Sequence, residues 1–293
     1  MSELAQSIAD HEHELGSATK DRSQFAKVLA DCIRDCVIDV TGSVLVVGGS
    51  SEDVAVLHRA GFRRMTLSNI QHVPPEQIPF LEGSEIDAVR EDAEDFRLAD
   101  ESYDLVIAHE VLHHCRSPHR ALLEMFRVSR RHVIILEPND SWVMKALISL
   151  RFSFPYELPA VIDHNFVSGG VRDSGIPNFV FRWNRDQVFQ TVSSFIPERT
   201  FALRARPYWD FNIDKNDLAL RGQTRLGILT RLLGPGGFLR CLRFMQLILN
   251  RLPGFSAQGN KFFCCIVKHD TLKPWLVRSG NDIVFNREFG RKI

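Results

Sequence analysis

The run Ser43–Val47 (Ser-Val-Leu-Val-Val) is continuously apolar after its first residue and stops at Gly48-Gly49. A strand buried on both faces reads this way, and that is the environment of a central parallel strand. A helical pattern follows at 52–60 and ends at Gly61, a natural helix stop. The rhythm then repeats, with strands predicted at Arg64–Ile70, Ile86–Arg90, Tyr103–Ala108 and His132–Leu136. Between the last two, Ala121, Leu122, Met125 and Phe126 mark one face of a helix over Pro118–Val128. An amphipathic helix over 23–38 precedes the whole series, its apolar face set by Phe25, Val28, Leu29, Cys32, Ile33 and Cys36. Alternation of this length predicts an α/β fold with a doubly wound, mostly parallel sheet, and ligands at the carboxyl ends of its strands.

Beyond Asn139 the pattern changes. Residues 141–151 and Trp183–Phe195 have helical spacing, and 152–182 is an irregular stretch rich in Phe, Pro and Gly. Phe201–Arg206 and Phe262–Val267 complete about seven strands, with a helical insertion before the last. The organisation expected is a flexible lead-in over 1–22 and one domain over 23–269. That domain carries insertions at about 152–182 and 215–258, and a tail covers 270–293.

Formal net charge is zero over 293 residues, so global electrostatics select no polyanionic partner. Residues 1–20 are polar and lack the apolar stretch of a signal peptide. No uninterrupted apolar run of about 18 residues occurs, which argues against a membrane-spanning helix. Six cysteines are scattered without framework spacing, so free thiols in a reducing cytoplasm are expected.

The strand ends carry the chemistry. In order, they read Val46-Val47-Gly48-Gly49-Ser50, Leu67-Ser68-Asn69, Arg90-Glu91-Asp92-Ala93-Glu94-Asp95, Ser102-Tyr103-Asp104-Leu105-Val106-Ile107-Ala108 with His109-Glu110-Val111-Leu112-His113-His114 behind it, and Leu136-Glu137-Pro138. In that order and spacing, over about 100 residues, they resemble the small-molecule (type 11-like) branch of class I S-adenosylmethionine-dependent methyltransferases. The resemblance implies a Rossmann-like fold, S-adenosyl-L-methionine as cofactor, and a methyl acceptor that is a small or lipid-linked molecule. It also implies roles. Val47, Gly48, Gly49 and Ser50 would form the turn whose N–H groups approach the nucleoside. Asn69 would meet the ribose, Asp92 and Ala93 the adenine, and His109 and Glu110 the methionine end.

The chain departs from the family pattern in two places. Val46 stands where the loop commonly has an acid, with Ser50 and Glu52 at the later glycine positions. Asn69 replaces the ribose-binding acid, and loss of a charge-assisted bond there costs roughly 1–2 kcal/mol, about tenfold in affinity. An alternative follows from these departures: a catalytically inactive methyltransferase fold serving as a binding or membrane-docking module. A nicotinamide-dependent oxidoreductase is disfavoured because the loop lacks G-x-G-x-x-G.

His109-Glu110-Val111-Leu112-His113 also satisfies the H-E-x-x-H zinc pattern, with His119 at a third-ligand spacing. Arg116 in place of the metzincin glycine, Pro118, and a start at a strand end all argue against it, and no metal is expected. His113 and His114 read as a rim residue and a packing residue, in one order or the other. With His164 of the irregular insertion, they are the candidates for a catalytic base.

Between Leu218 and His269 there is no acidic residue, while eight Arg and Lys interleave with aliphatics. Gly234-Pro235-Gly236-Gly237 divides this stretch into two short basic amphipathic helices. Such helices either cover the core or make peripheral membrane contact through 222–256, which would place the protein in the cytoplasm or on the inner membrane face. Nucleic acid is not expected as a partner, because stacking aromatics are scarce there.

Overall fold

The computed structural model describes residues 22–211, 226–252 and 254–289. The lead-in over 1–21 and residues 212–225, the start of the basic stretch, lie outside these. Seven strands form one sheet: β1 (Ser43–Val47), β2 (Arg64–Asn69), β3 (Glu85–Arg90), β4 (Tyr103–His109), β5 (Ser129–Pro138), β6 (Arg199–Tyr208) and β7 (Lys261–Leu272). Their order is β3-β2-β1-β4-β5-β7-β6, parallel from β3 through β5, with β7 antiparallel to both its neighbours. This is a Rossmann-like, doubly wound topology, and every strand expected from the sequence has its counterpart. A separate hairpin of β8 (Leu276–Ser279) and β9 (Asp282–Phe285) follows.

The two sheet faces sort by residue parity, as pleating requires. Val44, Val46, Leu105, Ile107, Ile134, Leu136, Phe263 and Cys265 pack under α1 (Ser23–Cys36) and α2 (Ser51–Arg59). Leu45, Val47, Val106, Ala108, Val133, Ile135, Phe262 and Cys264 pack under α3 (Pro118–Val128) and α6 (Arg185–Phe195). Both faces are covered, which is why the central strands read as unbroken apolar runs.

Local signals set the helix starts. Ser117 accepts from the Arg120 N–H with Pro118 at the first helical position, and Asn184 forms a capping box with Gln187. Ser141 caps α4 (Trp142–Ser149) by accepting the Met144 N–H. Asn139 donates its side-chain amide to the Gly259 carbonyl at 2.7 Å, tying β5 to the turn before β7. A short α5 (Leu158–Asp163) lies within the irregular insertion.

The basic stretch contains α7 (Leu226–Arg251), broken at Gly234 (φ 66°, ψ 159°) with Pro235 directly after. The Gly-Pro-Gly-Gly break expected from the sequence is therefore present. Among the described residues, 227–251 is nevertheless one helix long and apolar enough to cross a membrane by length and composition, although no apolar run in the sequence is continuous enough to predict it. The break leaves neither segment alone at the roughly 20 residues that a span requires. Ile228, Leu232, Leu247 and Phe244 of α7 are exposed, Leu232 at 76%.

Candidate active site

The site lies at the carboxyl edge of β1, β2, β3 and β4. Gly48 leaves β1 in the left-handed region at φ 56° and donates its N–H to the Ser68 carbonyl at 2.7 Å. A Cβ here would lie 2.8 Å from Val111 Cγ1, so the turn accepts only glycine without rearrangement. At Gly49 a Cβ would come 2.3 Å from Val46 Cγ1. The Val46 side chain, at the family's acid position, thus packs over the turn.

Ser50 and Asp53 form a capping box at the start of α2. The Ser50 hydroxyl accepts the Asp53 N–H, and Asp53 Oδ2 accepts the Ser50 N–H at 3.1 Å. The other Asp53 oxygen accepts from His109 Nδ1 at 2.7 Å, and Arg22 Nε lies 3.5 Å from it. Burial alone would raise the Asp53 carboxyl, but His109, Arg22 and the Ser50 N–H together hold it below its ordinary value. Burial depresses the His109 imidazole against the pull of Asp53, so the pair is carboxylate and neutral ring.

Two cavities meet at this edge. The first, of about 390 Å³, is lined by Val47, Gly48, Asn69, Asp92, Ala93 and Glu110 among others. The second, of about 410 Å³, takes in Arg22, His109, Glu110, His113, Glu157 and Lys261, with an apolar wall of Met144, Leu147, Leu242, Met245 and Leu249. Both volumes fall in the range of small-molecule sites. Glu110 lines both cavities. It follows β4 at φ 58°, a conformation unfavourable for a residue with a Cβ, and ion-pairs with Lys261 of β7.

Of the residues expected to meet the cofactor, six therefore share one cavity. His109 lies only in its neighbour, and Gly49 and Ser50 line neither. Ser50 is a helix cap, and Gly49 gives the turn clearance from Val46. Asn69 Oδ1 accepts the Gln71 N–H, and Asp92 Oδ1 accepts the Glu94 N–H. Asp92 Oδ2 is bonded to Arg172, which also reaches Glu94 at 3.1 Å.

The histidines separate clearly. His113 is buried, its Nδ1 2.6 Å from Glu137 Oε2 and its Nε2 3.1 Å from Glu157 Oε2. Burial would depress this imidazole, but the flanking carboxylates raise it to about 10. Burial likewise opposes ionisation of Glu157, yet His113, His114 and Asn178 bring it down to about 2. Glu137 Oε1 accepts the Val111 and Leu112 N–H groups, so Glu137 organises the whole turn after β4. His114 is the rim residue, with Nδ1 3.3 Å from the Gly170 carbonyl and Nε2 3.3 Å from Glu157 Oε2. Burial and the neighbouring His113 lower its affinity for a proton. His164 is exposed, follows α5, and lines neither cavity. The H-E-x-x-H arrangement does not form: His109 ends a strand, His113 lies in a 3-10 turn, and His119 packs on Phe181 and Trp183.

Arg22, Asp53, Glu157, Arg172 and Lys261 were not singled out from the sequence. Only Asp53 carried a local signal, the Ser-x-x-Asp spacing of a capping box. The others arrive from segments distant in the chain.

A doubly wound sheet, parallel from β3 through β5, with a glycine turn after β1 and a cavity over β2 and β3, defines an α/β protein with a small-molecule site at its strand ends. Residues 49–136 match a family model described as a methyltransferase domain. Those residues form a methyltransferase domain, the mark of a methyl-transferring enzyme that uses S-adenosylmethionine. No curated protein matches the sequence. Among solved structures, the fold is similar to magnesium protoporphyrin IX methyltransferase from Synechocystis, which has 10% identity and a TM-score of 0.48, over 84% of this chain and 83% of that one. It is also similar to the YcgJ protein of Bacillus subtilis, with 12% identity and a TM-score of 0.46 over 83% and 98% of the two chains. A methyltransferase from Archaeoglobus fulgidus has 13% identity and a TM-score of 0.42 over 83% and 94%.

Proposed function

We propose that this methyltransferase acts on a small apolar or lipid-linked acceptor, which enters the cavity walled by α4 and α7 from an anionic membrane surface. The observation that carries this reading is Glu110, which lines both cavities and so marks the wall across which cofactor and acceptor would meet. Gly48 lines the first cavity at positive φ with no room for a Cβ beside Val111, so the turn offers that cavity main chain, which suits a group held by backbone contact. In this reading the Val47–Gly48 turn approaches the amino-acid and sugar portions, Asn69 takes the ribose, Asp92 and the Ala93 N–H take the adenine, and His109 and Glu110 flank the methionine end. Bound there, the cofactor supplies an electrophilic sulfonium methyl. The chain's own task is to align the acceptor atom and exclude water.

Support for an apolar acceptor comes from Leu242, Met245 and Leu249, which reach the cavity from a helix that also exposes Ile228, Leu232, Phe244 and Leu247 beside Arg231, Arg240 and Arg243. Basic amphipathic helices of this kind bind anionic lipid through both contributions. The protein would then sit peripherally on the cytoplasmic face of a membrane. Calorimetric titration with S-adenosylhomocysteine, followed by flotation with phosphatidylglycerol-containing and pure phosphatidylcholine vesicles, tests both halves. Micromolar cofactor-product binding and flotation on the anionic vesicles alone are expected. No binding at millimolar product would return the chain to a methyltransferase fold without cofactor, a docking module only. Failure to float would remove the lipid-linked acceptor.

A further inference from the structure

We infer that His113, His114 and Glu157 form a binding site for a divalent metal ion of the zinc class, at the wall between the two cavities. The Nε2 atoms of both histidines converge on Glu157 Oε2, at 3.1 Å and 3.3 Å, and the three candidate ligand atoms lie within 4.8 Å of one another. Zinc bonds to His and carboxylate of about 2.0–2.2 Å, at angles between octahedral and tetrahedral, place neighbouring ligand atoms about 2.8–3.6 Å apart. Both histidine–carboxylate separations already fall in that range.

The surroundings have the features of an outer shell. His113 Nδ1 donates to Glu137 and His114 Nδ1 donates to the Gly170 carbonyl, which leaves both Nε2 atoms turned to the same point. A carboxylate or carbonyl behind each metal-ligating imidazole is the usual means of fixing its tautomer. Without an ion, both nitrogens of each ring face acceptors. Satisfying all four would require two imidazolium rings with centroids 4.5 Å apart. A divalent ion removes that conflict, because both rings then bind as neutral ligands and its charge offsets Glu137 and Glu157. Asn178 supplies a second observation. It is 3% exposed and donates to His113 O and Glu157 Oε2, yet its Oδ1 is buried without a hydrogen-bond partner. A metal-bound water would give that oxygen a donor.

Two His and one Glu are a ligand set that leaves a coordination position open. His113 and Glu157 line the acceptor cavity and His114 lines the other, so the ion would sit where the two meet. This consequence rests on the methyltransferase reading: a hydroxyl of the acceptor in the open position would lose its proton to water more readily. The residues differ from the H-E-x-x-H set, since His109 is committed to Asp53.

The test is calorimetric titration of full-length, chelator-treated protein with Zn²⁺, with neither cofactor nor acceptor present, so that its failure leaves methyl transfer untouched. One ion per chain, bound at roughly micromolar affinity or tighter, is expected. His114→Ala and Glu157→Gln should each weaken it roughly 100-fold, with thermal melting confirming that each variant is folded. The rival cluster is Cys32, Cys36 and Cys265, so Cys36→Ser should bind as wild type does, and the Co²⁺ derivative should show ligand-field bands without thiolate charge transfer. Absence of binding at 100-fold excess Zn²⁺, affinity unchanged in whichever of the two ligand variants folds, or thiolate charge transfer in the Co²⁺ spectrum would overturn the proposal.

Discussion

The Arg172 guanidinium lies 2.7 Å from Asp92 Oδ2, so a loop 80 residues further along the chain is fastened to the acid that ends the β3 segment. Arg172 and Asp173 both have positive φ, at 52° and 58°, and the same segment carries Gly169 at φ 86°. Backbone held in that region persists only where surrounding contacts over-determine it. Here the contacts are the paired bonds to Asp92 and Glu94, which draw the loop over the cofactor cavity.

Arg172→Ala is accordingly expected to release the loop. Both partners are about a third exposed, so the pair contributes about 0.5–1 kcal/mol once solvent screening is counted. Stopped-flow displacement of S-adenosylhomocysteine should show dissociation about two- to fivefold faster, with melting temperature nearly unchanged. A slower dissociation would mean that Arg172 competes with the adenine for Asp92 instead of closing over it.

Gly48→Ala tests the turn itself. The substitution costs roughly 1–2 kcal/mol for placing a Cβ at positive φ, and the contact with Val111 adds to that. A double variant with Val111→Ala relieves the contact but leaves the backbone penalty. Product affinity should fall at least tenfold in the single variant and recover only in part in the double one. Full recovery would show that crowding alone makes glycine necessary.

The sheet was legible because its central strands are buried on both faces, and a continuous run such as Val44–Val47 has few other uses. The helix break at Gly234 was equally plain, since Gly and Pro act locally. Function divided differently. Gly48, Asn69, Asp92 and Glu110 could be placed on one rim because each ends a strand. Ser50 holds a cofactor-contact position in the loop pattern, but the acid three residues on, Asp53, makes it a helix cap. Glu157 and Arg172 come from the irregular insertion, where no period constrains side-chain direction. The 44 and 80 residues that separate them from His113 and Asp92 leave no mark in a single sequence.

The Asp53–His109 pair gives stability a defined dependence on pH. His109 has a folded value below its ordinary one, so the unfolded chain takes up the proton first, and stability falls as pH drops below about 6.5. Asp53 is also depressed when folded. Its contribution is complete above about 3.9 and disappears as pH falls through the lower folded value. His113, raised to about 10, adds stability as pH falls towards about 6.5, and His114 and His132, lowered by burial, share the loss below it. The His109 contribution is therefore read as a difference between two proteins. His109→Asn, which keeps an N–H for Asp53 but cannot titrate, should lose less melting temperature than wild type between about pH 6.5 and about pH 5, and an equal amount below that. Parallel profiles for the two proteins would assign the loss to the other histidines.

Leu232 and Phe244 on α7 are 76% and 64% exposed, which sets the terms for the lipid reading. Side chains this open contribute little to folding, so Leu232→Glu with Phe244→Glu should leave melting temperature and S-adenosylhomocysteine affinity within experimental error. Each apolar side chain fully buried in a membrane interface contributes about 1.5–3 kcal/mol, and partial burial of two supports at least a tenfold loss of partitioning on substitution. The arginines add a second signature: wild-type flotation on anionic vesicles should weaken as salt rises and the Debye length shortens to a few ångströms. Salt sensitivity without any effect of the glutamate pair would point to electrostatic adsorption through Arg231, Arg240 and Arg243 alone. Loss of product affinity in the glutamate pair would instead tie Leu232 and Phe244 to the cofactor site and remove them from a docking surface.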